Sequence, residues 1–259
     1  MIRAGLLLVL ALAPGCGRAD QTPSEKTLEK DDIRSGYTFL TADTQALQDD
    51  DFANPGLLWV DRGQALFQST AESEASCASC HANGLQGVAA RYPALDTASG
   101  ALLNLEGRIN SCRTEHQGLP SLAYESDQLL ALTAYVAEQS AGMPADVQTS
   151  GAANAAYQQG RDYFLTRRGQ FNLSCQQCHT ENWGKQLRGD TLSQGHGNGF
   201  PAYRLEWQSL GSLQRRLRDC DTGVRAEPLP YGSETYIALE LYLAGRSQGL
   251  DLESPAVRR

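Results

Sequence analysis

Two short motifs of the same kind constrain this chain more than any other feature. They read CASCH and CQQCH, and they contain Cys77, Cys80 and His81 in the first half of the chain and Cys175, Cys178 and His179 in the second. Cysteines three residues apart lie on one face of a helical turn, where each thiol can form a thioether to a porphyrin vinyl group. The adjacent histidine can then bind the iron. We therefore predict two covalently bound c-type haems, with His81 and His179 as iron ligands.

Other chemistry uses a similar cysteine spacing. A zinc site that joins the two CxxC pairs is one alternative. A local disulfide within each pair is another, although so small a loop gives little entropic stabilisation. The histidine that follows each pair favours haem over both.

The N-terminus has the three-part pattern of a secretory signal. One arginine is followed by an apolar run over residues 6–13 and then by small residues, and the run is too short to span a bilayer as a mature helix. We predict a signal peptide over residues 1–19 and a periplasmic protein. A lipoprotein signal that ends before Cys16, with a lipid anchor on that cysteine, is the alternative. Residues 20–51 are polar and acidic, and we expect an extended N-terminal arm.

The surroundings of the two motifs also repeat. Before the motifs the matching segments are DRGQALF (61–67) and QGRDYFL (159–165), and after them QLLALTAYVAEQ (128–139) and TYIALELYLAGR (235–246). The closing segments carry apolar residues at helical spacing. The sequence therefore predicts an all-α fold of two class I cytochrome c-like domains in tandem, over residues 52–148 and 149–259.

Each predicted haem needs a further axial ligand from the loop before its closing helix. Neither methionine of the chain lies in such a loop, but each loop contains one cysteine, Cys112 or Cys220. These two cysteines precede matching tyrosines by similar intervals, and thiolate is a known haem ligand. We predict that both bind iron. His116 and His196 are the competing ligands, and a disulfide between the two cysteines is a further alternative.

The charge of the chain limits its partners. With a net charge of −8, the protein lacks the basic surface that neutralises nucleic-acid phosphates, so we expect no nucleic-acid partner. Any anion site must be local. The segment SLQRRLRDC (212–220) places Arg215, Arg216 and Arg218 directly before Cys220.

At these residues the chain resembles the SoxA family, the dihaem catalytic subunits of the SoxAX cytochromes of bacterial sulfur oxidation. The resemblance covers nearly all of the mature chain, and its most specific segment is GFPAYRLEWQSLGSLQRRLRDC (199–220). It implies an L-cysteine S-thiosulfotransferase that attaches thiosulfate oxidatively to a cysteine of a SoxYZ-like carrier protein and passes two electrons to haems. It also implies a heterodimer with a SoxX-like monohaem cytochrome c. Cys220 would be the catalytic cysteine, often carried as a persulfide, and Arg216 would bind thiosulfate.

The residue types agree with this implied chemistry. In a helix, Arg216 and Cys220 stand four residues apart and share a face. A guanidinium can hold sulfonate oxygens by paired hydrogen bonds, and nearby positive charge favours thiolate over thiol. We expect Arg215 and Arg218 to be solvated. Two other functions stay open at this point: a dihaem electron-transfer cytochrome, and a thiosulfate dehydrogenase that forms tetrathionate.

Overall fold

The structure is a computed structural model that describes Met1 and residues 25–259. Cys16, and with it the choice between the two kinds of export signal, lies outside the described residues. Within them, no helix is both long and apolar enough to cross a membrane.

Short helices dominate the described part of the chain. They are α1 (Ala42–Asp49), α2 (Leu57–Gln68), α3 (Cys77–Cys80), α4 (Leu105–His116), α5 (Asp127–Glu138), α6 (Asn154–Leu165), α7 (Cys175–His179), α8 (Leu213–Gly223) and α9 (Glu234–Arg246). The strands are β1 (Ala94–Leu95), β2 (Leu102–Leu103), β3 (Gln186–Leu187), β4 (Asp190–Thr191), β5 (Ala202–Arg204), β6 (Ser209–Gly211) and β7 (Ala256–Arg258).

The helices after α1 form two successive sets of four, α2–α5 and α6–α9. In each set a long helix precedes the short helix that carries the CxxC motif, a third helix carries one more cysteine, and a fourth closes the unit. Helix α2 packs against α5, and α6 packs against α9. The two mostly helical units predicted from the sequence repeat are therefore present.

The strands depart from the all-α prediction. They are two or three residues long and form small sheets, in which β1 pairs with β2, β3 pairs with β4, and β5 lies between β6 and β7. Segments this short carry no detectable alternation of apolar and polar residues, so a pattern analysis does not find them. The parallel pair of β5 and β7 draws the C-terminus back onto the second unit.

A glycine sets the crossing of the two long helices in each unit. A Cβ atom on Gly63 of α2 would lie 2.0 Å from the carbonyl oxygen of Ala131 in α5. A Cβ atom on Gly160 of α6 would lie 2.0 Å from the carbonyl oxygen of Ala238 in α9. Real Cβ atoms do not approach that closely, so only glycine allows the two backbones to touch at these positions.

The segment predicted as an extended arm contains a helix and has specific contacts. Helix α1 lies within it, which corrects the prediction for those residues. At the start of the segment, Glu25 pairs with Arg161 of α6 at 2.6 Å and accepts a hydrogen bond from the Tyr242 hydroxyl of α9 at 2.9 Å. The amide of Arg34 donates to the Gln194 side chain at 2.7 Å. Because polar groups make these contacts, apolar periodicity does not reveal them.

Two glutamates that have no cationic partner among residues 25–259 are buried where the units meet. Glu240 of α9 accepts hydrogen bonds from Asn104 at 3.2 Å and from Gln214 at 2.6 Å, both neutral donors. Burial, and to a smaller extent repulsion from Glu106 of α4, raises the pKa of Glu240. Burial and the charge of Glu125 raise the pKa of Glu106 to about 7. Both carboxyls therefore hold their protons more tightly in the folded chain than in water.

We predict that Gly63→Ala and Gly160→Ala each destabilise the protein, because the added methyl group collides with a backbone carbonyl. Overpacking of this kind costs about 1–3 kcal/mol or more. Denaturant unfolding measures the loss. Gly223→Ala is the matched control, since a Cβ atom there meets nothing within 4 Å. Equal stability of all three variants would show that the crossings are not tight.

A second prediction concerns pH. The folded-state pKa of Glu106 is raised above its ordinary value, so the protonated carboxyl makes its full contribution to the free energy of unfolding below about pH 4.5. That contribution is lost as the pH rises through about 7. Glu106→Gln should flatten this fall and raise the free energy of unfolding at pH 8 by up to about 3 kcal/mol. Unfolding curves at a series of pH values test this. Glu115→Gln, at an exposed position on the same helix, should leave the pH profile unchanged, and an unchanged profile for Glu106→Gln would contradict the prediction.

Candidate functional site

The second CxxCH motif forms its own short helix, α7. Ser174 precedes the helix and forms a capping box with Gln177, in which each side chain bonds the backbone of the other residue. The cap fixes the helical turn that brings Cys175 and Cys178 to one side. His179 is the last residue of the helix.

A glycine and a carbonyl orient the imidazole of His179. Its Nδ1 lies 2.8 Å from the Ser193 carbonyl oxygen, and because a carbonyl only accepts, Nδ1 carries the proton and Nε2 keeps its lone pair for a metal. A Cβ atom on Gly195, where φ is +76°, would lie 2.8 Å from the His179 ring. The GHGNG segment resembles an ordinary surface turn in sequence, yet one of its glycines is needed for this packing.

Cys220, from α8, contacts the same histidine. Burial raises the pKa of its thiol, but the charge of Arg216 and the contact with His179 outweigh burial and lower the pKa to about 7. The Cys220 sulfur and an imidazole nitrogen therefore face each other next to the CxxC pair. This donor set fits the axial positions of a haem iron, with Cys175 and Cys178 placed for the thioether bonds.

The first motif borders a cavity of suitable size for a second cofactor. The cavity has a volume of about 730 Å³ and is lined mostly by apolar side chains, including Phe67 and Leu105. Cys77, Cys80 and His81 also line it. Two thiols and an imidazole on one wall of an apolar cavity fit a c-type haem.

Cys112 and His116 both lie on the wall of this cavity, so its lining alone does not choose between them. Cys112 is the eighth residue of α4, and Cys220 is the eighth residue of α8. Cys112 is half-buried, whereas His116 is exposed at the end of its helix. Position and burial both favour Cys112 as the equivalent of Cys220.

The other competing histidine, His196, already has hydrogen-bond partners. Its Nδ1 lies 3.0 Å from the Ser247 hydroxyl, and its Nε2 lies 3.1 Å from the Gln194 side-chain oxygen. Burial, together with the charges of Arg246 and His179, lowers the pKa of His196 to about 3. These contacts are those of a neutral structural histidine.

The three arginines before Cys220 have different surroundings. Arg215 donates to the Ser209 hydroxyl at 3.2 Å, and Arg218 donates to the Leu229 carbonyl, so neither is simply solvated as expected. The guanidinium of Arg216 has no hydrogen bond and no ion pair with a carboxylate among residues 25–259. Its pKa is raised mainly by the charge of Cys220. Arg216 is therefore the one arginine of the three whose donors stay available for a ligand.

The first unit has an arginine at the corresponding position. Arg108 precedes Cys112 by four residues, just as Arg216 precedes Cys220. However, Arg108 pairs with Asp96 at 2.6 Å and donates to the Tyr92 hydroxyl at 3.1 Å. The two arginines have the same position in their helices, but the Arg108 guanidinium is engaged by Asp96 and Tyr92, whereas the Arg216 guanidinium is available for a ligand.

The alternatives to haem predict a disulfide or a metal-binding cluster of side chains. Cys112 and Cys220 are both free thiols in the described part of the chain. Within residues 25–259, no group of three or more His, Cys, Asp or Glu side chains is placed to hold a metal ion.

Comparisons with known proteins agree with this description. A family model described as the SoxA/TsdA cytochrome c domain matches residues 62–145 and again residues 159–252. The L-cysteine S-thiosulfotransferase subunit SoxA of Rhodovulum sulfidophilum is 40% identical over 92% of this chain and 84% of the relative. The SoxA subunit of Paracoccus pantotrophus is 38% identical over 88% of this chain and 80% of the relative. A crystal structure of SoxXA from P. pantotrophus superposes with a TM-score of 0.84 at 38% identity and covers 88% of this chain and 87% of that one.

We predict that Cys112→Ser changes the low-spin electron paramagnetic resonance signal of the first haem, because it removes the thiolate ligand. His116→Gln, one turn further along the same face, is the matched variant and should leave the signal unchanged. The opposite pattern would make His116 the ligand.

Proposed function

The chain belongs to the SoxA family, and from that premise we propose that it is the haem-bearing subunit of an L-cysteine S-thiosulfotransferase. It transfers thiosulfate oxidatively to a cysteine of a SoxYZ-like carrier protein in bacterial thiosulfate oxidation. The observation that carries the proposal is the unpaired guanidinium of Arg216 one helical turn from the Cys220 thiolate.

Arg216 and Cys220 have separate roles in this reaction. Arg216 holds the sulfonate oxygens of thiosulfate by charge-assisted hydrogen bonds, which directs the outer sulfur toward Cys220. Cys220 is the catalytic cysteine and binds that sulfur. A sulfur–sulfur bond forms between the two, and two electrons leave.

The carrier completes the transfer. Its thiolate attacks the outer sulfur, the new bond to Cys220 breaks, and the Cys220 thiolate is regenerated. Overall, one carrier thiol and one thiosulfate dianion give a carrier S-thiosulfonate, one proton and two electrons. Arg216 keeps the sulfonate in place during both steps, and its charge stabilises the returning thiolate.

Two c-type haems fit the residues present. Cys77 and Cys80 would hold the first through thioether bonds, and Cys175 and Cys178 would hold the second. His81 and Cys112 would bind the iron of the first haem, and His179 and Cys220 would bind the iron of the second. When bound, a haem accepts one electron at a time, so a two-electron step needs two acceptors.

The need for a second electron acceptor is the reason for the proposed heterodimer. The structural relative is a SoxXA complex. We infer that this chain forms a heterodimer with a SoxX-like monohaem cytochrome c. In the first unit Asp96 neutralises Arg108, the arginine at the position of Arg216, and this unit serves electron relay or structure.

The proposal includes the domain boundaries and the compartment. The first cytochrome c-like domain covers residues 52–148, and the second, catalytic domain covers residues 149–259. The N-terminal sequence pattern supports a periplasmic protein.

The experiment that tests the function follows the mass of the carrier cysteine after incubation with thiosulfate and the chain in complex with the small cytochrome. Cys220→Ala should abolish the mass shift while both haems stay attached. Arg216→Met should lower kcat/KM for thiosulfate about 10- to 100-fold, the loss expected for a hydrogen bond to a charged group. Arg108→Met is the matched control in the first domain and should leave kcat/KM unchanged, although it loses an ion pair.

Other outcomes would favour other functions. Haem reduction without any carrier adduct would favour an electron-transfer cytochrome. Tetrathionate formation without a carrier would favour a thiosulfate dehydrogenase. Full conjugation by Cys220→Ala would contradict the proposed catalytic role.

A further inference from the structure

A second arginine, Arg204, lies close to the proposed active site. It is the last residue of β5, and β5 pairs with β6, which leads through Ser212 directly into α8. Only 7% of its side chain is exposed. The hairpin and the helix are thus one continuous piece of chain, and Arg204 is buried against the helix that carries Arg216 and Cys220.

Trp207, in the turn of this hairpin, connects Arg204 to the helix. The Arg204 guanidinium lies 5.0 Å from the Trp207 ring centre, and the Arg215 guanidinium lies 4.2 Å from it. The indole nitrogen donates to Asp219 at 3.0 Å. Arg215 and Asp219 are each the neighbour of a proposed active-site residue, so the indole lies along the edge of the site.

The hydrogen-bonding capacity of Arg204 is only partly used. Its Nη2 pairs with Glu206 at 3.1 Å, and half of the Glu206 side chain is exposed. Its Nε is buried and has no hydrogen-bond partner among the described residues. A buried, charged donor without a partner is unfavourable, and an anion that enters the site would satisfy it.

Electrostatic interactions relate Arg204 to the residues of the proposed active site. Burial and the charge of Arg216 lower its pKa, while Glu206 and Cys220 act in the opposite direction. Arg204 therefore interacts electrostatically with both proposed active-site residues. Two buried guanidinium groups repel each other, and a dianion between them would remove that repulsion.

We propose that Arg204 is a second anion-binding residue of the active site and that its Nε–H donates to a sulfonate oxygen of the thiosulfate held by Arg216. This inference rests on the proposed function. Thiosulfate carries two negative charges, and its sulfonate has three oxygens, so two guanidinium groups can bind it from two sides. Trp207 holds Arg204 in position for this contact.

The test measures KM for thiosulfate and KM for the carrier in the conjugation assay, with the haem-loaded complex. Arg204→Gln should raise KM for thiosulfate about 10- to 100-fold. It should leave KM for the carrier and the visible spectra of the haems unchanged. Arg215→Gln is the matched control, because it loses a similar contact with Trp207 but its donors already have a partner, and its KM should change less than about twofold.

Glu206→Gln is a second test that does not disturb the fold, because Glu206 is exposed. It removes the carboxylate that competes for Arg204, so KM for thiosulfate should fall. An unchanged or increased KM in this variant would contradict the proposal. So would an unchanged KM in Arg204→Gln with a shifted haem potential, which would indicate that Arg204 binds a haem propionate. If the wild-type complex forms no carrier adduct, the proposed function itself fails.

Discussion

The close contact of two helix backbones at a glycine is the constraint on which both units depend. In each unit, the long N-terminal helix crosses the closing helix where Gly63 or Gly160 touches a carbonyl oxygen. The crossing fixes the frame in which a short CxxC helix and a cysteine-bearing helix face each other. Because the contact occurs twice, the two sites start from the same geometry, and differences between them arise from side chains.

The most informative of these differences is the environment of one arginine. Arg108 and Arg216 each stand four residues before a cysteine on equivalent helices. Asp96 neutralises the first, whereas no described residue pairs with the second. A guanidinium that already has a carboxylate partner gains little from an additional anion, since the partner would have to be displaced first. In the proposed function, this one carboxylate separates the substrate-binding site from the site that only holds a haem.

Much of this arrangement can be predicted from the sequence, because its signals are local. Each CxxCH motif is complete within five residues, and Arg216 stands four residues before Cys220, so each signal lies in one short segment. Asp96 and Arg204 could not be predicted in the same way, because their roles depend on short strands and turns that carry no periodic pattern. Helix α1 was missed for a related reason, since polar contacts rather than an apolar face hold its segment in place.

An acidic protein that binds an anionic substrate needs its positive charge close to the chemistry. The net charge of −8 repels thiosulfate at a distance, but salt screens that repulsion beyond about 8 Å at physiological ionic strength. Inside the site, burial limits screening, so the charges of Arg216 and Arg204 act there with greater effect than they would on the surface. The charge of Arg216 lowers the pKa of Cys220, and in the proposed function both charges attract the sulfonate. In the proposed function, Arg216 and Arg204 thus let an acidic chain hold both the nucleophile and its dianionic partner in one place.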